Sequence, residues 1–122
     1  MKKIAVIDDN KTFRHFVKQI LEQSNYHVEE FVNADEFFST EKEIYGYDLI
    51  LIDYNMPGMN GITALENIKF NPVTQGVPVL LVTGEPERKV VDVAVRLKVN
   101  DFISKPIDPE FLVERVNKLL RY

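Results

Sequence analysis

Two tetrapeptides, Leu49-Ile50-Leu51-Ile52 and Val79-Leu80-Leu81-Val82, are apolar at every position. A strand sends successive side chains to opposite faces, so a strand that is apolar throughout needs cover on both sides. A parallel sheet held between two layers of helices provides that cover; a sheet with one wet face does not. The remaining sequence has the means to build those layers. Strands are expected from Lys3 to Asp8, His27 to Phe31, Tyr47 to Asp53, Val77 to Thr83 and Asn100 to Ser104. Each is followed by a segment whose apolar residues recur at three- and four-residue spacing. The pattern is βα repeated five times: a single doubly wound α/β domain over 1–122, five parallel strands with five flanking helices. At 122 residues the chain suits one hydrophobic core.

The helices carry their own punctuation. The first puts Phe13, Phe16, Val17, Ile20 and Leu21 on one face, with Asn10 as N-cap. The second opens at Asn33-Ala34-Asp35-Glu36, a spacing like a capping box. The third starts after Asn60-Gly61, runs through Ile62, Leu65 and Ile68, and stops before Asn71-Pro72. Pro86 suits the first turn of the fourth, where its missing N–H costs nothing. The last runs from about Pro109 through Phe111, Leu112, Val116, Leu119 and Leu120.

Composition removes several classes of function. No apolar run reaches the roughly 20 residues that cross a bilayer. A net charge of −4 argues against a phosphate-backbone surface, so neither membrane nor nucleic acid is the expected partner. The chain has no cysteine, and Met1-Lys2-Lys3 precedes only four apolar residues, too few for a secretory leader. A cytoplasmic location is expected.

Open doubly wound sheets bind ligands outside the carboxyl ends of their strands. There the first strand ends in Asp8-Asp9, the third in Asp53, the fourth in Thr83, and the fifth just before Lys105. Taken singly these are ordinary: an N-cap, a strand-end acid, a surface lysine. Their coincidence on one sheet edge is not. Three crowded carboxylates repel one another unless a cation joins them, and hard oxygen donors suit Mg²⁺, which keeps open positions for water or a phosphate oxygen.

With Asp8-Asp9, Asp53 in the run Leu-Ile-Leu-Ile-Asp-Tyr-Asn-Met-Pro-Gly-Met-Asn-Gly, Thr83-Gly84 and Lys105-Pro106, the sequence resembles the receiver domains of two-component response regulators, of the chemotaxis-regulator kind, over nearly its whole length. The resemblance implies strand order 2-1-3-4-5, a phosphoacceptor at Asp53, and Mg²⁺ held by Asp8, Asp9, Asp53 and the backbone carbonyl of Asn55. Asp53 would be the nucleophile, taking a phosphoryl group from a sensor histidine kinase, a phosphotransfer protein or a small phosphodonor. Lys105 would neutralise charge on the transferred group, and Thr83 would donate its hydroxyl to it. Gly84 would let the backbone N–H come close. The resemblance further implies a cis bond at Lys105-Pro106, an aromatic switch at Phe102, and tuning of phosphate lifetime by Asn55 and Glu85. Apart from its own phosphorylation and dephosphorylation, no enzymatic activity is implied.

By residue type alone Phe102 reads as a half-buried residue on an edge strand. The fourth helix has β-branched residues at Val90, Val91, Val93 and Val95, which lower its intrinsic stability. With Val90, Ala94 and Leu97 toward the sheet, Val91 and Val95 fall on its flank. By residue type that flank reads first as lateral packing against a neighbouring helix; the other reading makes it, with the fifth strand and last helix, the output surface toward a downstream protein or a second copy of the chain. Lys11, Arg14 and Lys18 form a basic strip on the first helix, read first as a solvated face. The end of the fourth helix, Leu97-Lys98-Val99-Asn100, lacks the glycine usual there, so Lys98 is where a positive φ is expected.

Other classes fit less well. A haloacid-dehalogenase-like phosphatase needs a second aspartate where Asn55 stands, and a flavodoxin-like carrier would set its FMN phosphate against Asp8-Asp9. A phosphate-independent pseudo-receiver, a binding module alone, is the main alternative. Two organisations suit the chain, a stand-alone receiver and a segment of a longer regulator.

Overall fold

The sheet is parallel, in the order β2-β1-β3-β4-β5, with β1 (Lys3–Ile7), β2 (His27–Phe31), β3 (Leu49–Asp53), β4 (Val79–Thr83) and β5 (Asp101–Ser104). The helices are α1 (Lys11–Gln23), α2 (Ala34–Ser39), α3 (Gly61–Phe70), α4 (Arg88–Arg96) and α5 (Pro109–Leu120). This computed structural model describes residues 1–39, 46–55, 61–84 and 88–120. The expectations placed on Pro86, on Glu85 and on the run from Met56 to Asn60 lie outside the described residues.

β3 and β4 are buried at every position, as their unbroken apolar runs require. Alternation along the strands divides the core in two. Ala5, Ile7, Ile50, Ile52, Val79 and Leu81 pack with residues of α2, α3 and α4, whereas Ile4, Val6, Leu49, Leu51, Leu80 and Val82 pack with α1 and α5. Asp8 and Asp53 continue the second set by the same alternation, and Thr83 the first. The acids therefore leave the sheet on the α1–α5 side.

The strands are shorter than expected at several ends, for local reasons. Pro78 has no N–H to give, so the β4 ladder begins at Val79, although the Pro78 carbonyl still accepts the Ile50 N–H at 2.9 Å. At the start of β3 the Asp48 carboxylate takes the Lys3 N–H at 2.8 Å. Asn100 brackets Val79 with one backbone and one side-chain bond before β5 begins. Asp8 stands just past β1, yet its N–H still donates to the Phe31 carbonyl at 3.0 Å.

Asn10 caps α1, accepting the Phe13 N–H at 2.9 Å, and Asn33 accepts the Glu36 N–H at 2.8 Å. One expectation for α1 is corrected: Phe16 points outward, and Arg14 is buried in its place. Arg14 stands three and seven residues before the buried Val17 and Leu21, so it occupies the inward stripe. Phe111 in α5 is likewise turned out, with the Arg115 guanidinium over its ring.

α4 buries Val90, Val93 and Ala94 and leaves Val95 73% exposed. Val91 and Leu97 are half-buried. The helix closes in a Schellman motif: Val99 N–H donates to the Ala94 carbonyl and Lys98 N–H to the Val95 carbonyl, with Lys98 at φ 57°. α1 closes in the same way around Asn25, at φ 69°.

Candidate functional site

Asp8, Asp9 and Asp53 have carboxylate oxygens that all lie within 4.8 Å of one another, the one such acidic group among the described residues. Asp8 and Asp53 are buried and Asp9 is exposed, so the group opens to solvent on one side. The local fold holds the two buried acids separately. Asp8 Oδ1 accepts the Asn10 N–H at 2.8 Å, and Asp53 Oδ1 accepts the Asn55 N–H at 3.2 Å. In both, a carboxylate at a strand end bonds the backbone two residues on, which turns the chain away from the sheet.

Lys105 closes the group from the far side. Its Nζ stands 3.3 Å from Asp53 Oδ2 and 3.4 Å from Asp8 Oδ2. Its backbone is anchored beside β4, the N–H donating to the Thr83 carbonyl at 2.8 Å. The Lys105–Pro106 bond is cis, as the resemblance implied. A third partner was not foreseen from sequence: the ammonium lies 4.3 Å from the centre of the Phe13 ring. Phe13 is the Asn10-capped residue of the first turn of α1, so the same cap that starts the helix seats this ring.

Electrostatics mark the group as charge-strained. Burial pushes the Asp8 carboxyl up from 3.8 to about 6; the nearby Asp53 charge adds to this, while the Asn10 N–H and Lys105 oppose it. Asp53 is also raised, by burial first, against the lowering pull of Lys105 and the Asn55 N–H. One ammonium does not offset the burial of both Asp8 and Asp53, whose carboxyls stay raised beside it. Two buried oxygen donors that resist losing their protons, with the exposed Asp9 carboxylate beside them, are a fitting cradle for a small divalent cation.

The other expected site residues take their places nearby. Thr83 ends β4, fully buried, paired in register with Ser104 of β5. Gly84 is exposed, and a Cβ added there would meet Asn55 Nδ2 at 4.0 Å, an ordinary contact, so packing alone does not demand glycine. Asn55 is exposed at the exit of β3. Phe102 is half-buried opposite Leu81 and packs on the α2–α3–α4 side of the core. The basic strip of α1 is corrected: Arg14 is buried, with its guanidinium 2.7 Å from the Asp8 carbonyl and its Nε 3.3 Å from Glu30 of β2. His15 and Lys18 also face Glu30, at 3.5 and 3.9 Å. Arg14 was legible in principle, since its spacing to Val17 and Leu21 is that of a core residue.

Comparison with known proteins agrees with this geometry. The response regulator receiver domain family matches residues 4–117. The transcriptional regulatory protein ResD of Bacillus subtilis is 35% identical over 119 residues, covering 98% of this chain and 48% of that protein. The chemotaxis protein CheY-3 of Vibrio cholerae is 32% identical over 119 residues, covering 96% of this chain and 90% of that one. The chain thus spans about half the length of the first and most of the second. The crystal structure of Vibrio cholerae CheY4 superposes with a TM-score of 0.91 at 24% identity, over 98% of this chain and 99% of that one, a likeness of fold. With the family matched across nearly the whole sheet and the acids and lysine gathered at its carboxyl edge, the chain belongs to the response regulator receiver domains.

Proposed function

We propose that residues 1–122 form one phosphorylatable signalling receiver. It accepts a phosphoryl group onto Asp53 from a histidine kinase or phosphotransfer protein, in a Mg²⁺-dependent reaction, and passes the change to the surface of α4, β5 and α5. The observation that carries this reading is the convergence of the Lys105 ammonium and three carboxylates at the end of β3. The absence of cysteine is in keeping with a cytoplasmic setting.

Asp8, Asp9 and Asp53, with the Asn55 carbonyl, would hold Mg²⁺. When bound, the ion supplies positive charge beside the oxygens of the transferring group. Asp53 presents a carboxylate oxygen in line with phosphorus; the P–O bond forms as the donor's P–N bond breaks, and the electron pair leaves with the imidazole nitrogen. Lys105 exchanges its contact with Asp53 for one with the phosphoryl oxygens, and Thr83 donates its hydroxyl to the same group. Drawing Thr83 toward the phosphate alters the space on its side of the sheet, where Phe102 and the buried face of α4 lie. Phenylalanine has no hydroxyl to bond, so Phe102 responds by packing alone. The output is a downstream protein, an attached domain or a second copy of the chain.

Intact mass after treatment with acetyl phosphate and Mg²⁺ tests the reading: a gain of about 80 Da is expected for one phosphoryl group, absent in Asp53→Asn and without metal. No gain in the wild-type chain would leave a phosphate-independent binding module.

A further inference from the structure

We propose that Arg14 is a positioning residue for the acidic site: it holds the main chain of Asp8 so that the Asp8, Asp9 and Asp53 carboxylates converge on one cation. The inference rests on reading that group as a Mg²⁺ site.

Asp8 stands one residue past the end of β1, where its carbonyl has left the β1–β2 and β1–β3 ladders. Its N–H is taken by the Phe31 carbonyl and its side chain by the Asn10 N–H and Lys105. The carbonyl is taken by Arg14, at 2.7 Å. Rotation of the Asp8–Asp9 peptide would swing that carbonyl and re-aim Asp9 relative to Asp8 and Asp53, so the guanidinium fixes a bond vector that the sheet ladders do not hold. Arg14 is itself anchored from β2, with Nε 3.3 Å from Glu30 Oε1. Neither of these two buried atoms has a hydrogen-bond partner, so the contact is Coulombic and poorly aligned.

This arrangement makes little sense as a contribution to stability. Arg14 is 8% exposed, and its guanidinium, with one neutral acceptor and one misaligned carboxylate, recovers its desolvation poorly. Nor does its charge help the site, because a buried cation beside a cation site repels the ion. The two roles therefore predict opposite signs. As a mere charge, Arg14 weakens Mg²⁺ binding and its removal strengthens it; as a positioning residue, its removal weakens binding.

Calorimetric titration of the whole chain with Mg²⁺ separates them, alongside the melting temperature of each metal-free variant. Arg14→Met, which loses charge and donor, and Arg14→Lys, which keeps the charge without the fork, are both expected to lower Mg²⁺ affinity about tenfold or more, the usual effect of removing a group that orients a metal ligand. Lys18→Gln removes another cation facing Glu30 and should change affinity by no more than about twofold, because its charge is screened. Equal or tighter binding by Arg14→Met overturns the proposal. So does a lower melting temperature with unchanged affinity in Arg14→Lys, which decides the matter if the methionine variant does not fold. If the wild-type chain itself takes up no Mg²⁺, the reading of the acidic group fails, and this inference with it.

Discussion

The Nζ of Lys105 lies 3.3 Å from Oδ2 of Asp53, and it also reaches Asp8. One ammonium thus restrains the charge of two buried acids. Lys105→Met removes that restraint, and the carboxyl groups of Asp8 and Asp53 should both titrate at higher pH than in the parent chain, because the lysine lowers each. Carbon-detected NMR of the side-chain carboxyls in metal-free protein reads this directly, and unchanged titrations would show that the contact carries no electrostatic coupling.

Stability should fall with rising pH in the metal-free protein. The Asp8 carboxyl lies at about 6 when folded and 3.8 in its ordinary state, so the folded chain holds the proton more tightly. That contribution is present below pH 4 and is lost as pH rises through about 6, in all about 3 kcal/mol for a shift of this size. Urea unfolding between pH 4 and 7.5 should show a shallower decline in Asp8→Asn and a more stable variant at pH 7. Saturating Mg²⁺ should restore the parent chain at the upper end by binding the ionised folded state. A steep decline retained in Asp8→Asn would refute the assignment.

At the far end of the molecule, the Thr74 hydroxyl is fully buried and donates to the Ile68 carbonyl of α3 at 2.6 Å. Thr74→Val keeps the shape and leaves that carbonyl with one fewer donor. A loss of about 1–3 kcal/mol in denaturant unfolding is expected, with phosphorylation unaffected.

Lys98 occupies the left-handed position that ends α4, at φ 57°. Glycine removes the Cβ cost there, offset in part by a freer unfolded chain, so Lys98→Gly should stabilise by up to about 1 kcal/mol. A destabilised variant in thermal melts would mean that the lysine side chain makes a compensating contact.

α4 is where phosphorylation should be read. Its inward face is held by Val90, Val93 and Ala94, and its β-branched content weakens it as an isolated helix. Amide exchange across residues 88–96 should change several-fold on phosphorylation, while β3 and β4 hold steady. Identical exchange with and without the phosphoryl group would exclude α4 from the output.

Much of this is legible in the sequence. Unbroken apolar runs at 49–52 and 79–82, short and rich in β-branched residues, suit strands covered on both faces, and where such strands stop places Asp8, Asp53, Thr83 and Lys105 on one edge. What escaped was the identity of the residues that support the site. Counting apolar residues placed Phe16 inward, but the α1 stripe runs through Arg14, Val17 and Leu21, and a buried guanidinium becomes credible only once Glu30 and the Asp8 carbonyl are seen beside it. Phe13 under Lys105 joins residues far apart in sequence, a pairing that no local pattern encodes. Strand ends moved because Pro78 withholds a donor and because Asp48 and Asn100 cap neighbouring strands with side chains.

β3 and β4, at the middle of the sheet, have no residue open to solvent. Close-packed material of that kind yields little under load. On the proposed reading, a doubly charged group set down on Asp53 would press against an anvil, and the displacement would go where intrinsic stability is lowest, along the β-branched flank of α4, with the sheet as the fixed reference against which a partner would sense the difference.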